Sequence, residues 1–244
     1  PFRNGWYAMG AYTYGESNAV NPGTSSQAIS NWRFLPSKGD PNQDVNARSQ
    51  FEIEDRFIAN ASYTFDYGSG WGTTISAFYN AQSGQPYSLI FSGDLNGDRQ
   101  FGNDLLYVPA SCDEVIFQNG DCGQFQALLD AVGGTTPGQI VDRNHATGPW
   151  IHRLDLKLAQ KLPVTRYNME VTLDLLNAAN LFDSDSGVVE FVRFGTYQAV
   201  RFQGFDDDTG KPIYRLQFRD PDDRFTVDDL RSRWQAKLGI RFNF

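Results

Sequence analysis

Oxygen-bearing side chains crowd most densely into DLNGDRQFGND, residues 94–104. Asp94, Asn96 and Asp98 alternate around Gly97, with Asn103 and Asp104 further on. Alternating carboxylate and amide oxygens around a glycine turn can converge on a hard cation, and calcium is the natural guest. The stretch departs from the helix-loop-helix calcium loop, because Gly97 comes too early and Leu105 stands where a closing Glu belongs. The same residue types also cap a turn at a strand end. Two uses therefore stand side by side: calcium ligation by Asp94, Asn96 and Asp98 first and Asp104 next, or a polar turn.

Other chemistry is sparse. Cys112 and Cys122 flank DEVIFQNGD; so short a loop closes as a disulfide in an oxidising compartment, or holds two reduced thiols elsewhere. The acidic runs FDDDTGKP and RDPDDRFTVDD carry Asp206 to Asp208, Asp220, Asp222, Asp223, Asp228 and Asp229 among Arg215, Arg219 and Arg224. They suit cation gathering, a polar substrate, lipopolysaccharide bridged by divalent ions, or a solvated loop. His145 and His152 have no evident nucleophile beside them, and YGSGWG precedes no helix that would make it a phosphate loop. No enzyme constellation emerges, and the expectation is a protein that is not an enzyme. A net charge of -8 argues against nucleic acid as a partner.

The elements that must position these residues are strands. WQAKLGIRFNF, residues 234–244, alternates strictly: Trp234, Ala236, Leu238, Ile240, Phe242 and Phe244 on one parity, Gln235, Lys237, Gly239, Arg241 and Asn243 on the other. A period of two gives one apolar and one polar face. The same alternation runs through 53–67, 71–81, 150–160 and 166–177, and residues 5–15 are strand-like in composition. His152 and Phe78 break the pattern on their strands. Six long strands are expected, joined by tight turns at YGSGW and QKLPVTR and by long polar links at about 16–48, 88–147 and 183–230. Within the links, 197–202 and 213–218 read as a hairpin around DDDTGK, and FQALLDAV, 125–132, as a short packed helix.

Long and short connections in alternation are the connectivity of an outer-membrane barrel, with long loops outside and tight turns in the periplasm. On that topology Tyr63, Phe65, Tyr67, Trp71, Tyr167, Phe242 and Phe244 fall at one membrane interface, and Trp150 and Trp234 at the other. An antiparallel sandwich would also alternate, but it accounts less well for the two aromatic girdles and the unequal loops. Fewer than about eight strands do not close a single-chain barrel, so six need partners. The fold expected is all-β, an antiparallel transmembrane β-barrel segment of about six strands over residues 1–244. The opening PFRNGWYAMG does not read as a secretory leader, so the expectation is that processing removed one or that the chain is a piece of something longer, and a terminal aromatic strand suits the end of a whole barrel.

SGQPYSLIFSGDLNGDRQFGNDLLYVP (83–109) and GQIVDRNHATGPWIHRLDLKLAQKLPV (138–164) resemble the Oar-like, carboxypeptidase-regulatory-like group of TonB-dependent outer-membrane receptors. LDLLNAANLFD (173–183) and SRWQAKLGIRFNF resemble the last strands of TonB-dependent receptors in general. The resemblance implies a 22-stranded barrel of which these would be the last six strands, with the plug and TonB box absent from this chain. It implies nutrient import across the outer membrane of a Gram-negative bacterium, driven through TonB. The partners it implies are lipid, lipopolysaccharide, the rest of the barrel and its plug. A platform holding a surface or secreted protein is the alternative.

Overall fold

The computed structural model describes residues 4–164 and 167–243. Six strands, β1 (Trp6–Tyr14), β2 (Asp55–Gly68), β3 (Trp71–Gln82), β4 (Ile151–Val164), β5 (Tyr167–Leu176) and β6 (Gln235–Asn243), follow the alternating segments. They pair in sequence order as one antiparallel sheet. Ser69 and Gly70, both with positive φ, make the tight turn between β2 and β3, the backbone a two-residue hairpin loop requires. At the corresponding turn after β4 the strand runs on through Val164, so Gln160–Val164 are paired residues and not turn. The protein is mainly β with antiparallel sheets. Among the described residues no helix is long and apolar enough to cross a membrane.

Register turns the alternation into two faces. Successive cross-strand pairs link Leu238, Leu173, Leu158, Ile75, Tyr63 and Trp6 into one apolar row across all six strands. The adjoining row on the opposite face runs Lys237, Asp174, Lys157, Ser76, Ser62 and Tyr7. There, unlike charges sit opposite one another: Lys157 Nζ lies 3.4 Å from Asp174 Oδ1, and Arg241 lies 3.8 Å from Glu170. The apolar row has no core packed on it. Leu238 is 73% exposed and Ile240 62%, and Trp6, Ile75, Leu158 and Leu173 are exposed too.

His152 keeps its place on the apolar face through an aromatic ladder. Its Nδ1 is 2.8 Å from the Tyr79 hydroxyl, and its ring lies between those of Trp150 and Tyr79. Tyr67, Trp71 and Phe242 are exposed near the turn end of the sheet, and Trp150 and Trp234 at the loop end. Phe244 and the side chain of Tyr167 lie outside the described residues.

The hydrophobic core sits in the long connections, which all leave the same end of the sheet. A second, five-stranded sheet is assembled there in the order Ala146–Thr147, Pro86–Ser92, Thr196–Phe205, Pro212–Leu216, Ile116–Gln118. Thr196–Phe205 and Pro212–Leu216 form the expected hairpin. Each of its strands also pairs in parallel with a segment of the preceding long connection, which periodicity did not foretell. Tyr87, Leu89, Phe91, Leu106, Val200 and Leu216 are among the side chains buried around it. Helix Cys122–Val132 covers this core with Phe125, Leu128 and Leu129. Asp121 caps its first turn by accepting from Gln124 N–H, and Gly133 ends it with positive φ. Cys112 and Cys122 are joined as a disulfide, their Cα atoms 5.8 Å apart.

Candidate binding cleft between the loops

All three long connections contribute walls to one open cleft of about 840 Å³. The first brings Asn31, Phe34 and Phe51, the second Tyr87, Phe101 and Asn144, the third Phe194 and Gln198. Four of the lining side chains are exposed phenylalanines, Phe34, Phe51, Phe101 and Phe194. Phe194 is 96% exposed and held at φ 57 immediately before Gly195. A bulky side chain in left-handed backbone is costly and persists only where the surroundings impose it. Aromatic faces ringed by amide groups suit a ligand with an apolar surface and several polar atoms. A second cleft of about 480 Å³ adjoins it, sharing Leu35, Pro36, Arg48 and Arg143.

Polar residues at the floor tie the loops together. Arg48 donates to Glu52 at 2.5 Å, Glu54 at 2.8 Å and Thr147 at 2.7 Å. Arg143, 7% exposed, donates to the carbonyls of Ala19 and Val45 at 2.7 and 2.8 Å. Desolvation lowers its pKa from the usual arginine value. Asn144 adopts a left-handed φ, exchanges hydrogen bonds with Ser88, and donates to the Arg48 carbonyl at 2.6 Å. The Arg143–Asn144 pair thus stitches the first connection to the second. Beside it, Gly84 and Gly148 touch: a Cβ on Gly84 would stand 2.4 Å from the Gly148 carbonyl carbon and oxygen. Asn177, from the LDLLNAANLFD segment, donates to the carbonyls of Gly187 at 3.0 Å and Ser232 at 2.7 Å, holding the third connection.

The Asp94–Asp104 stretch is a turn leaving this sheet. Asp94 accepts from Gly97 N–H at 2.7 Å and Arg99 N–H at 2.9 Å. Asn96 accepts from Asp98 N–H, and Asp98 from Gln100 N–H. Asp104 Oδ2 accepts from Leu95 N–H at 2.8 Å. Burial raises the Asp104 pKa above the usual carboxylate range, and the nearby charges of Asp98 and Asp94 add to the effect. Among the described residues, no three His, Cys, Asp or Glu side chains come together as a metal site.

In the acidic third connection several carboxylates serve local turns. Asp220 and Asp223 form a reciprocal cap on Pro221–Arg224, Asp228 caps Asp229–Ser232, and Asp206 accepts from Thr209. Arg224 points inward, donating to the Tyr87 hydroxyl at 2.9 Å and lying over the Phe225 ring. His145 and His152 stand in different settings, the first at the second cleft and the second on the aromatic ladder. No protein-family model, curated protein or solved structure matches the chain.

Proposed function

We propose that the six-stranded sheet is wall of an outer-membrane β-barrel and that the cleft between its loops captures a nutrient for TonB-dependent import. The observation that carries this reading is the exposed apolar row from Leu238 to Trp6, on a protein that packs a dense core elsewhere. In water such a band would be costly, at roughly 25 cal/mol per Å² of apolar surface. Against hydrocarbon it is the favoured surface. Strands of 9 to 14 residues match the length a tilted membrane strand needs. Among the described residues β1 and β6 are the edge strands of the sheet, and in lipid such edges require further strands to close the wall.

The mechanism follows from the resemblance. The outer loops bind the ligand, TonB displaces a plug housed within the complete barrel, and no bond of the ligand changes. The present residues supply wall, a charged inner face and the cleft. The second reading, a platform for a surface protein, is favoured by the exposure of Phe182, Phe194 and Phe205 on the loops.

Spin labels placed singly at residues 236–242 in the bilayer-reconstituted protein test the wall. Collision with oxygen is expected to peak at 236, 238, 240 and 242, and collision with a water-soluble nickel complex at 237, 239 and 241. Loss of that alternation refutes the assignment. For import against platform, uptake that stops when the TonB box is deleted supports import, and TonB-independent retention of a surface protein supports the platform.

A further inference from the structure

Buried oxygens without partners are concentrated at one place in the loops. Of the five buried side-chain polar atoms that lack a hydrogen bond among the described residues, three are Ser37 Oγ, Asn103 Oδ1 and Asp104 Oδ1. Asn103 is 0% and Asp104 2% exposed. An ionisable carboxylate oxygen withdrawn from water with nothing to satisfy it is expensive, and a native protein keeps such a group only for a reason.

The backbone around these atoms is fixed. Ser37 bridges Asp104, Ser37 N–H donates to the Asn103 carbonyl at 2.8 Å, and Phe91 N–H donates to the Asp104 carbonyl at 2.9 Å. Gly102 N–H closes on the Gly93 carbonyl. Residues 94–101 therefore rise as a loop from a clamped base. Both buried side chains reach into that loop: Asp104 through Oδ2 to Leu95 N–H, Asn103 through Nδ2 to Asp98 Oδ2 at a long 3.4 Å. Asn96 also approaches Asp98 Oδ2, at 3.1 Å. Asn103 thus stands between the two carboxylates, next to Asp104 in the chain and 3.4 Å from Asp98 Oδ2 through Nδ2, while its own Oδ1 and Asp104 Oδ1 remain unpartnered. All are hard donors, with no sulfur or imidazole among them.

We propose that this loop binds one calcium ion through Asp104, Asn103 and Asp98, and that the ion fixes Phe101 at the mouth of the cleft. The set holds only two carboxylates, which agrees with the lack of a three-residue cluster of acids, histidines or cysteines. Backbone carbonyls and water complete the six to eight oxygens calcium takes. Asp94, whose two oxygens hold the N–H groups of Gly97 and Arg99, is a positioning residue that shapes the loop. Phe101 and Gly102, within the same excursion, line the cleft. The ion accordingly links loop order to ligand capture. Calcium binding itself stands apart from the membrane and transport readings, because it needs neither lipid nor TonB.

The test uses the intact, detergent-solubilised protein stripped with chelator and titrated with calcium chloride by calorimetry, with thermal melts in parallel. One saturable site per chain is expected, with Kd on the order of 10⁻⁴–10⁻³ M as in extracellular modules, and a higher Tm with calcium. Asp98→Asn and Asp104→Asn should each weaken binding at least about tenfold, and Asn103→Asp, which adds a ligand charge, should tighten it. In chelator, Asp104→Asn removes the buried charge but keeps a side-chain oxygen able to accept from Leu95 N–H, so it should melt close to the parent and loss of binding will not reflect misfolding. The proposal is overturned if millimolar calcium produces neither heat nor a Tm shift. It is equally overturned if the Asp98 and Asp104 variants bind like the parent, or if the variants shift Tm identically with and without calcium, as a buried water would predict.

Discussion

Leu238→Arg puts the wall assignment at greatest risk. Leu238 is the fourth of the nine residues of β6, and its cross-strand partner is Leu173. At about 3.4 Å per residue and a tilt near 40°, it stands about 13 Å from the turn-side end of the strand. That is close to the middle of an apolar band about 25 Å tall, where an arginine costs about 2–4 kcal/mol. The folding equilibrium should then fall by a factor of roughly 30 to 1000. Were the face simply wet, replacing a side chain already 73% exposed would move stability by no more than about 0.5 kcal/mol. The assay is a denaturant titration of folding into phospholipid vesicles, followed by tryptophan emission and by the heat-modifiable mobility of the folded form. Leu173→Arg should behave like Leu238→Arg, and Lys237→Gln, on the opposite face, should cost under about 0.5 kcal/mol. A Leu238→Arg protein within about 0.5 kcal/mol of the parent would refute the reasoning.

Gly84→Ala should destabilise the loop assembly by about 1–3 kcal/mol, because its methyl would meet the Gly148 carbonyl at 2.4 Å; an unchanged rate of loop proteolysis would contradict this. Reducing Cys112–Cys122 releases a loop with sequence separation 10, worth about 2.7 kcal/mol in the chain-entropy model, and hydrogen exchange should rise in Cys122–Val132 before it rises in the six-stranded sheet. His145 has its pKa lowered chiefly by burial, with Arg48 and Lys38 contributing and the Asp142 carbonyl opposing. Between that lowered value and the ordinary value near 6.5 the unfolded chain binds more protons, so stability should fall as pH drops below about 6.5. Melts across pH 5 to 7.5 should show the loss in the parent and a smaller one in His145→Gln.

The six-stranded sheet was legible because alternation is the whole of its physics: Leu238, Leu173 and Leu158 reach one row through a period of two. The limits lay where that simplicity ended. The segment QKLPVTR reads as a turn, yet Gln160–Val164 continue the ladder and Pro163 pairs opposite Asn168. Pro86–Ser92 is buried almost throughout, so it carries no alternation, and its parallel partner lies more than a hundred residues away. The cleft was harder still, because Phe34, Phe101 and Phe194 come from three separate connections and no local spacing joins them. Phe194 before Gly195 left one trace, an aromatic beside a glycine at the head of a strand. In the Asp94–Asp104 stretch the residue types were visible, but burial of Asn103 and Asp104 depends on Ser37 and Phe91, which only folding brings near.

The parallel pairing of Thr196–Phe205 with Pro86–Ser92 also dictates an order of events. Hairpins such as β2–β3 close through two residues and form without help, whereas these two segments must be delivered to the same place by elements far apart in the chain. On that argument the cleft is expected to form after the hairpins, and a chain stalled before that step would carry a finished six-stranded sheet without the cleft.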